Sequence, residues 1–340
     1  MEKRLLFTGF LFIFLILAGC TAVEEKQEIP SPALVHPLSE YPSNQGKDVL
    51  VIATGDMSGV YYSLGQAIAA IYEKHDGVAT AAQVTNASFQ NIELISKKEA
   101  DLGFATVDVL SEMEEDDSIQ NLKVLTELYS NYIHIVTLKH SGITSFKDLE
   151  GKRISVGPDG SGTKLTAERT LSIFGLDGNK VEKQFLTFTQ SADALRNGTI
   201  DAAFFSSGLP NPEITTLASQ MPISLIPIPE AMVSNLNKEF GIYTIKEIPL
   251  GTYEGMDESI QTISVKNVLL THKDLSEKQA YQLVSSLDTH LPELQKTHSA
   301  AQDIPVAEAK VEFPVDYHPG AKKYFQKKET TESESKQGGQ

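Results

Sequence analysis

Apolar and polar positions alternate in short blocks along this chain. Val49 to Ala53 is an apolar run of the length of a buried parallel strand. A turn with Gly55, Ser58 and Gly59 follows, and then a helical face at Tyr61, Leu64, Ile68, Ile71 and Tyr72. Ser58 is the expected N-cap, its hydroxyl accepting from first-turn N–H groups. Strand, glycine turn and helix N-terminus together aim unpaired N–H groups at one point, which suits a carboxylate or phosphate. An ordinary βα unit has the same pattern and can be empty.

The alternation continues. Strands are predicted over Ala79–Val84, Leu102–Thr106, Leu122–Tyr129, Ile133–Leu138 and Arg153–Val156. Later ones are predicted over Phe185–Phe188, Ile200–Phe205, Ile223–Ile228 and Ser264–Leu270. Helices fall between them, from Ile92, from Val107, at Leu165 to Phe174, over Gln190–Leu195, from Glu213 and after Asp274. The strand, glycine turn and helix pattern recurs at Gly157-Pro-Asp-Gly-Ser-Gly-Thr163, where Ser161 can cap the helix. Alternating strands and helices predict an α/β fold with parallel sheets.

Length and charge narrow the picture. The 340 residues suffice for two domains, and 41% apolar content supports a packed core. A formal net charge of −16 argues against nucleic acid as a partner, since phosphate binding needs a basic surface. Lys3 and Arg4 precede the apolar stretch Leu5–Ala18, which is short for a membrane span and ends in Leu17-Ala18-Gly19-Cys20. That ending resembles a bacterial lipobox: 1–19 is the expected signal peptide, and Cys20, the single cysteine, the expected lipidation site. Residues 20–47, with four prolines among Glu, Ser and Gln, read as a flexible tether. Residues 328–340 read as a disordered tail. Glu114-Glu-Asp-Asp117 reads as a solvated loop.

No enzyme motif survives inspection, and no catalytic residue is nominated. In Gly157–Lys164 the register of a phosphate loop fails, because Thr163 sits where its lysine should be. Ser161 lacks the first glycine of a nucleophile elbow, and Asp159 stands there instead. The eight histidines are scattered, without H-E-x-x-H or a pair at helical ligand spacing, so no metal and no cofactor is expected.

Several segments carry a resemblance. They are Thr54-Gly-Asp-Met-Ser-Gly-Val-Tyr-Tyr-Ser-Leu-Gly65, Asn91 with its helix, Glu99-Ala-Asp-Leu-Gly-Phe104 and Val107-Asp108. Further on come Leu149–Pro158, Gly160-Ser-Gly-Thr163, Asp201-Ala-Ala-Phe-Phe205, Gly208-Leu-Pro-Asn-Pro212, and His318-Pro-Gly-Ala321 with Tyr324. Over 48–326 the chain resembles the TAXI family of solute receptors, which serve tripartite ATP-independent periplasmic (TRAP) transporters. Asp56 and Met57 stand where that family has more glycine, and Thr106 where it often has an amide side chain.

The resemblance implies a two-lobed periplasmic-binding-protein fold of type II, closing on a small acid and delivering it to small and large TRAP membrane subunits. It implies a monomer outside the cytoplasm, held to the membrane by a lipid anchor. Ile133–Leu138 and Ser264–Leu270 are the nominated hinge crossings. Lobe one is then 48–135 plus 262–327, and lobe two 136–261. Gly59, Val60 and Tyr61 are expected to meet the ligand from lobe one, with Thr54, Ser88 and Asn91 nearby. Ser161, Gly162 and Thr163 are expected from lobe two, with Ser207, Gly208 and Asn211. Asp108 is a candidate holder of an ammonium group or a helix cap. Glutamate, a related amino acid or a C4–C5 dicarboxylate is the expected ligand. A ligand-sensing lipoprotein and an enzyme on a similar hinged fold are the alternatives.

Overall fold

The structure, a computed structural model, describes residues 49–305 and 313–337. The expected signal peptide, Cys20 and the tether to 47 lie outside these residues. The chain opens with β1 (Leu50–Ala53), α1 (Val60–Asp76), β2 (Thr80–Gln83), α2 (Ser88–Ser96), β3 (Leu102–Thr106) and α3 (Val107–Glu112). A long strand, β4 (Leu122–Leu138), leads away from this βαβαβα unit. A second unit then repeats the order: β5 (Arg153–Ser155), α4 (Gly162–Ile173), β6 (Glu182–Gln184), α5 (Phe188–Arg196), β7 (Ala202–Ser207) and α6 (Pro212–Gln220). After it come β8 (Ile223–Leu225), α7 (Glu230–Glu239), β9 (Thr244–Ile248), β10 (Ile260–His272), α8 (Glu277–Thr289), α9 (Leu291–Leu294) and α10 (Pro319–Gln337).

All these strands join one sheet in the order β2-β1-β3-β10-β4-β7-β5-β6, with β8 beside β4 and β9 beside β10. Each unit contributes a parallel trio, β2-β1-β3 and β7-β5-β6. The antiparallel pair β10 and β4 lies between the trios. The repeat extends to details. Asp101 receives the Val51 N–H on Oδ2 at 2.8 Å, and Asp201 receives the Arg153 N–H at 2.9 Å.

The hydrophobic core divides along this line. One cluster runs from Val51 to Tyr129 and resumes at Val268. Two others use only residues between Ile133 and Val265. The fold is therefore two-lobed, and β4 and β10 are the strands that cross. β4 pairs with β10 over Leu122–Tyr132 and with β7 over Tyr132–Thr137. The change of packing partner lies near Ser130–Tyr132 and Val265–Asn267. The β4–β10 register shifts at Asn267, a bulge at the crossing point.

Four local expectations are corrected. Ser58 does not cap α1: its hydroxyl turns to Asp56 Oδ1, Gly59 takes the N-cap position, and no side chain caps this helix. Leu122–Tyr129 and Ile133–Leu138 are one strand, because β10 offers Ser130, Asn131 and Tyr132 continuous ladder partners. Phe185–Phe188 is not a strand: β6 ends at Gln184, where pairing with β5 stops, and Phe188 opens α5 behind a Thr187/Gln190 capping box. The final helix runs on to Gln337 where disorder is expected from 328, since Glu, Lys and Gln are adequate helix formers without an apolar face.

Candidate functional site

The loops that follow six parallel strands meet in one cleft. Gly55 follows β1, Ala87 follows β2 and Thr106 ends β3; Pro158 follows β5, Thr187 follows β6 and Ser206 lies in the last turn of β7. Carboxyl ends of parallel strands are where ligands of α/β folds bind. The cleft holds about 630 Å³ of empty space, part of it open to solvent. Tyr129 and Asn131 of β4 line it at the crossing between the lobes.

Four helix N-termini open onto this cleft. Gly59, Val60 and Tyr61 at the start of α1 line it, as do Ala87 and Ser88 at the start of α2. From the other lobe, Ser161, Gly162 and Thr163 start α4, and Thr187 and Phe188 start α5. The lobe-one helices have no side-chain cap. Those of lobe two have theirs: Ser161 Oγ accepts from Lys164 N at 3.2 Å, and Thr187 Oγ1 accepts from Gln190 N at 3.3 Å. First-turn N–H groups and the aligned peptide dipoles give each such end a partial positive charge. Among the described residues none that lines the cleft is Lys, Arg or His, so these ends are its positive groups. Among the described residues Asp56 is the one lining carboxylate; it is half-buried and accepts the Ser58 N–H at 2.9 Å.

The lobes touch closely here. A Cβ on Gly162, in lobe two, would lie 2.7 Å from Thr106 Oγ1 and 3.3 Å from Ser88 Oγ, both in lobe one. Ser88 Oγ in turn accepts the Thr106 N–H at 3.2 Å. Ala87 has φ 69° and ψ −143°, a conformation costly for any residue with a side chain. Its N–H donates to Thr85 Oγ1 at 3.0 Å, which holds the turn in place.

Tyr61 is buried, and its hydroxyl donates to Asn267 Oδ1. Asn267 Nδ2 donates to Asn131 Oδ1 at 3.0 Å and to the Tyr129 carbonyl at 2.8 Å. Asn131 Nδ2 reaches Ser206 Oγ at 3.4 Å. This chain of amides links α1 in one lobe, both crossing strands, and β7 in the other. Burial pushes the Tyr61 hydroxyl well above the ordinary phenol range, so it stays protonated.

Residues 52–328 match the NMT1-like family. The chain belongs to the NMT1-like family. Its fold is that of the periplasmic solute-binding proteins. A structure of a protein from Bordetella bronchiseptica RB50 is similar with TM-score 0.54 at 14% identity, covering 83% of this chain and 98% of that one. PhnD1 from Prochlorococcus marinus (MIT 9301), solved in complex with methylphosphonate, is similar with TM-score 0.52 at 13% identity, covering 77% and 94%. Among the described residues no helix is long and apolar enough to cross a membrane.

Of the residues nominated from the sequence, Gly59, Val60, Tyr61, Ser88, Ser161, Gly162, Thr163 and Ser207 line the cleft of this NMT1-like chain. The other five do not. Thr54 is buried beneath α1, its hydroxyl donating to the Gln83 carbonyl at 2.6 Å and its methyl against Gly65. Asn91 is an internal staple, giving its Nδ2 protons to the carbonyls of Thr54 at 2.6 Å and Phe104 at 2.8 Å. Gly208 packs where a Cβ would meet Ala300 and Tyr129. Asn211 caps α6, its Oδ1 accepting from Glu213 N and Ile214 N.

Asp108 also faces away from the cleft, into a buried contact between the lobes. It is not among the residues that line the cleft, and the N-cap position of α3 belongs to Thr106. Its Oδ2 accepts from Thr166 Oγ1 at 2.6 Å and Tyr243 OH at 3.2 Å. Beside it, Arg169 of α4 donates to Glu112 of α3 at 2.6 Å and lies over the Phe240 ring. The Arg169 pKa is raised further above its ordinary value: burial works against the charged form, but Tyr243, Asp108 and Glu112 outweigh it.

Sequence reasoning missed Asn131, Thr187 and Ser206 as lining residues, and it noted Asp56 and Thr106 only where the chain departs from the TAXI pattern. Thr187 carried a signal, the capping box ahead of α5. Asn131 and Ser206 lie inside strands and carried no such signal.

Proposed function

We propose that this chain is the extracytoplasmic receptor of a TRAP-type transporter, capturing a small carboxylate between its lobes and handing it to membrane subunits. The observation that carries this reading is the meeting of four helix N-termini, two from each lobe, in a cleft whose lining has no basic side chain. A carboxylate there accepts N–H groups from both lobes at once. Its affinity for the closed arrangement then exceeds that for an open one, and the difference drives closure. Glutamate, a related amino acid or a C4–C5 dicarboxylate fits the polar and aromatic lining. Asp56 offers an ammonium group a partner, which favours an amino acid among these. The TAXI-like segments around Gly59 and Gly162 support the TRAP assignment. The lipobox at Cys20 supports a membrane anchor, with 20–47 as tether and a monomeric body beyond it. The protein carries out no chemistry on its ligand in this reading.

A thermal-shift screen of the purified protein against amino acids, C4–C5 dicarboxylates, phosphate and methylphosphonate tests it. A saturable rise in melting temperature with one carboxylate class, with the ligand recovered unchanged, is the expected result. Product formation would make the protein an enzyme, and stabilisation by cations alone would remove the anion reading.

A further inference from the structure

A second convergence of side chains lies at the far end of α1. His75 stands in that helix's last turn, about 22 Å along the axis from Val60. His290 sits at the junction of α8 and α9, and Glu293 within α9. His75 Nε2 is 3.0 Å from Glu293 Oε2. The His75 and His290 rings are stacked, with centroids 3.5 Å apart and planes inclined by 11°. One ligand atom from each of the three residues lies within 4.8 Å of the others.

Two imidazoles stacked this closely repel each other if both carry a proton. A neutral imidazole offers its lone pair in the ring plane, so one of the two stacked rings has to turn before both nitrogens reach one ion beside the carboxylate. Lys74 Nζ binds Glu293 Oε1 at 2.8 Å and leaves Oε2 to face His75. Second-contact partners of this kind orient metal ligands. Ligand atoms around a tetrahedral zinc ion stand about 3.3 Å apart, close to the His75–Glu293 separation.

We propose that His75, His290 and Glu293 bind a divalent transition ion of the zinc class. Each residue gives one atom, and water completes the shell. Two nitrogens and one carboxylate oxygen suit zinc and not calcium or magnesium, which take oxygen ligands. The ion takes the place of the His75–Glu293 hydrogen bond. It pins the end of α1 to the corner between α8 and α9. All three ligands belong to lobe one, so the site is independent of cleft closure.

Calorimetric titration of the chelator-treated protein with zinc chloride tests this, with cobalt(II) absorption as a second readout. One equivalent is expected to bind, with the visible bands of four-coordinate cobalt. His75→Ala and His290→Ala should each weaken binding at least about tenfold, and both should lose the cobalt bands. His140→Ala, an exposed histidine outside the cluster, should leave binding unchanged. Absence of saturable binding, or equal affinity in His75→Ala, His290→Ala and the parent, would overturn the proposal. Glu293→Gln, which keeps size and removes charge, decides the matter if a histidine variant fails to fold.

Discussion

Gly162 is the residue on which the contact between the lobes turns. It starts α4, and the absence of a Cβ lets Thr106 and Ser88 of the other lobe approach it. Alanine there is acceptable to the helix itself, so the cost appears only when the lobes come together. Gly162→Ala is expected to leave the melting temperature of the ligand-free protein nearly unchanged and to raise the ligand's Kd at least tenfold, about 1.4 kcal/mol. Calorimetry on the parent and variant checks it, and an unchanged Kd would mean that the close approach is not part of capture. The glycine was legible in the sequence as part of a loop, but its reason was not. A one-dimensional pattern cannot show that Thr106 lies opposite. Asp108 illustrates the same limit. A carboxylate at a helix start reads as a cap or a ligand group, whereas Thr166, Tyr243 and Arg169, which surround it, come from another lobe.

At the scale of elements, the βα units were readable because each strand is apolar and each following turn carries glycine or a capping residue. β6 and β9 were not, since they are short and largely exposed and carry charged residues at their centres. β7, β4 and the segment around Tyr253 are joined by a buried histidine that the sequence presented only as one of eight. His134 Nδ1–H donates to the Phe205 carbonyl at 3.2 Å, and Nε2 accepts from Tyr253 O–H at 2.9 Å. The Tyr253 oxygen accepts the Asn211 N–H at 2.9 Å, which reaches α6. Burial pushes the His134 pKa down from 6.5 to about 4, against the opposing effect of its backbone partners. A base with a lowered folded pKa leaves the unfolded chain holding more protons between those values. His134 therefore costs nothing above pH 6.5, and its burial removes stability progressively as pH falls to about 4, by about 3 kcal/mol in all. His134→Gln should flatten the fall in melting temperature over that window relative to the parent, and parallel curves for the two proteins would contradict this.

For the whole molecule, the two crossing strands are the frame that both lobes share. The Tyr61–Asn267–Asn131–Ser206 chain passes through them at the bulge, so the α1 end of the cleft is tied to β7. Asp108 and Glu112 of α3 meet Thr166 and Arg169 of α4 beyond the cleft, so the lobes in this arrangement are held at the cleft and behind it. The α/β character and the recurrence of the glycine turn at Gly59 and Gly162 followed from the chain's order, and the two lobes from the family resemblance. No turn signal marks the passage from one lobe to the other, because β4 and β10 run unbroken through it. The central claim is that one carboxylate is held by helix ends from both lobes at once. Amide proton–nitrogen NMR during titration with the best ligand from the thermal screen tests it most directly. The account predicts that the amides of Val60, Tyr61 and Ser88 shift together with those of Thr163 and Lys164, along curves giving one Kd. Shifts confined to one lobe, or absent from these helix starts while ligand binds, would contradict it.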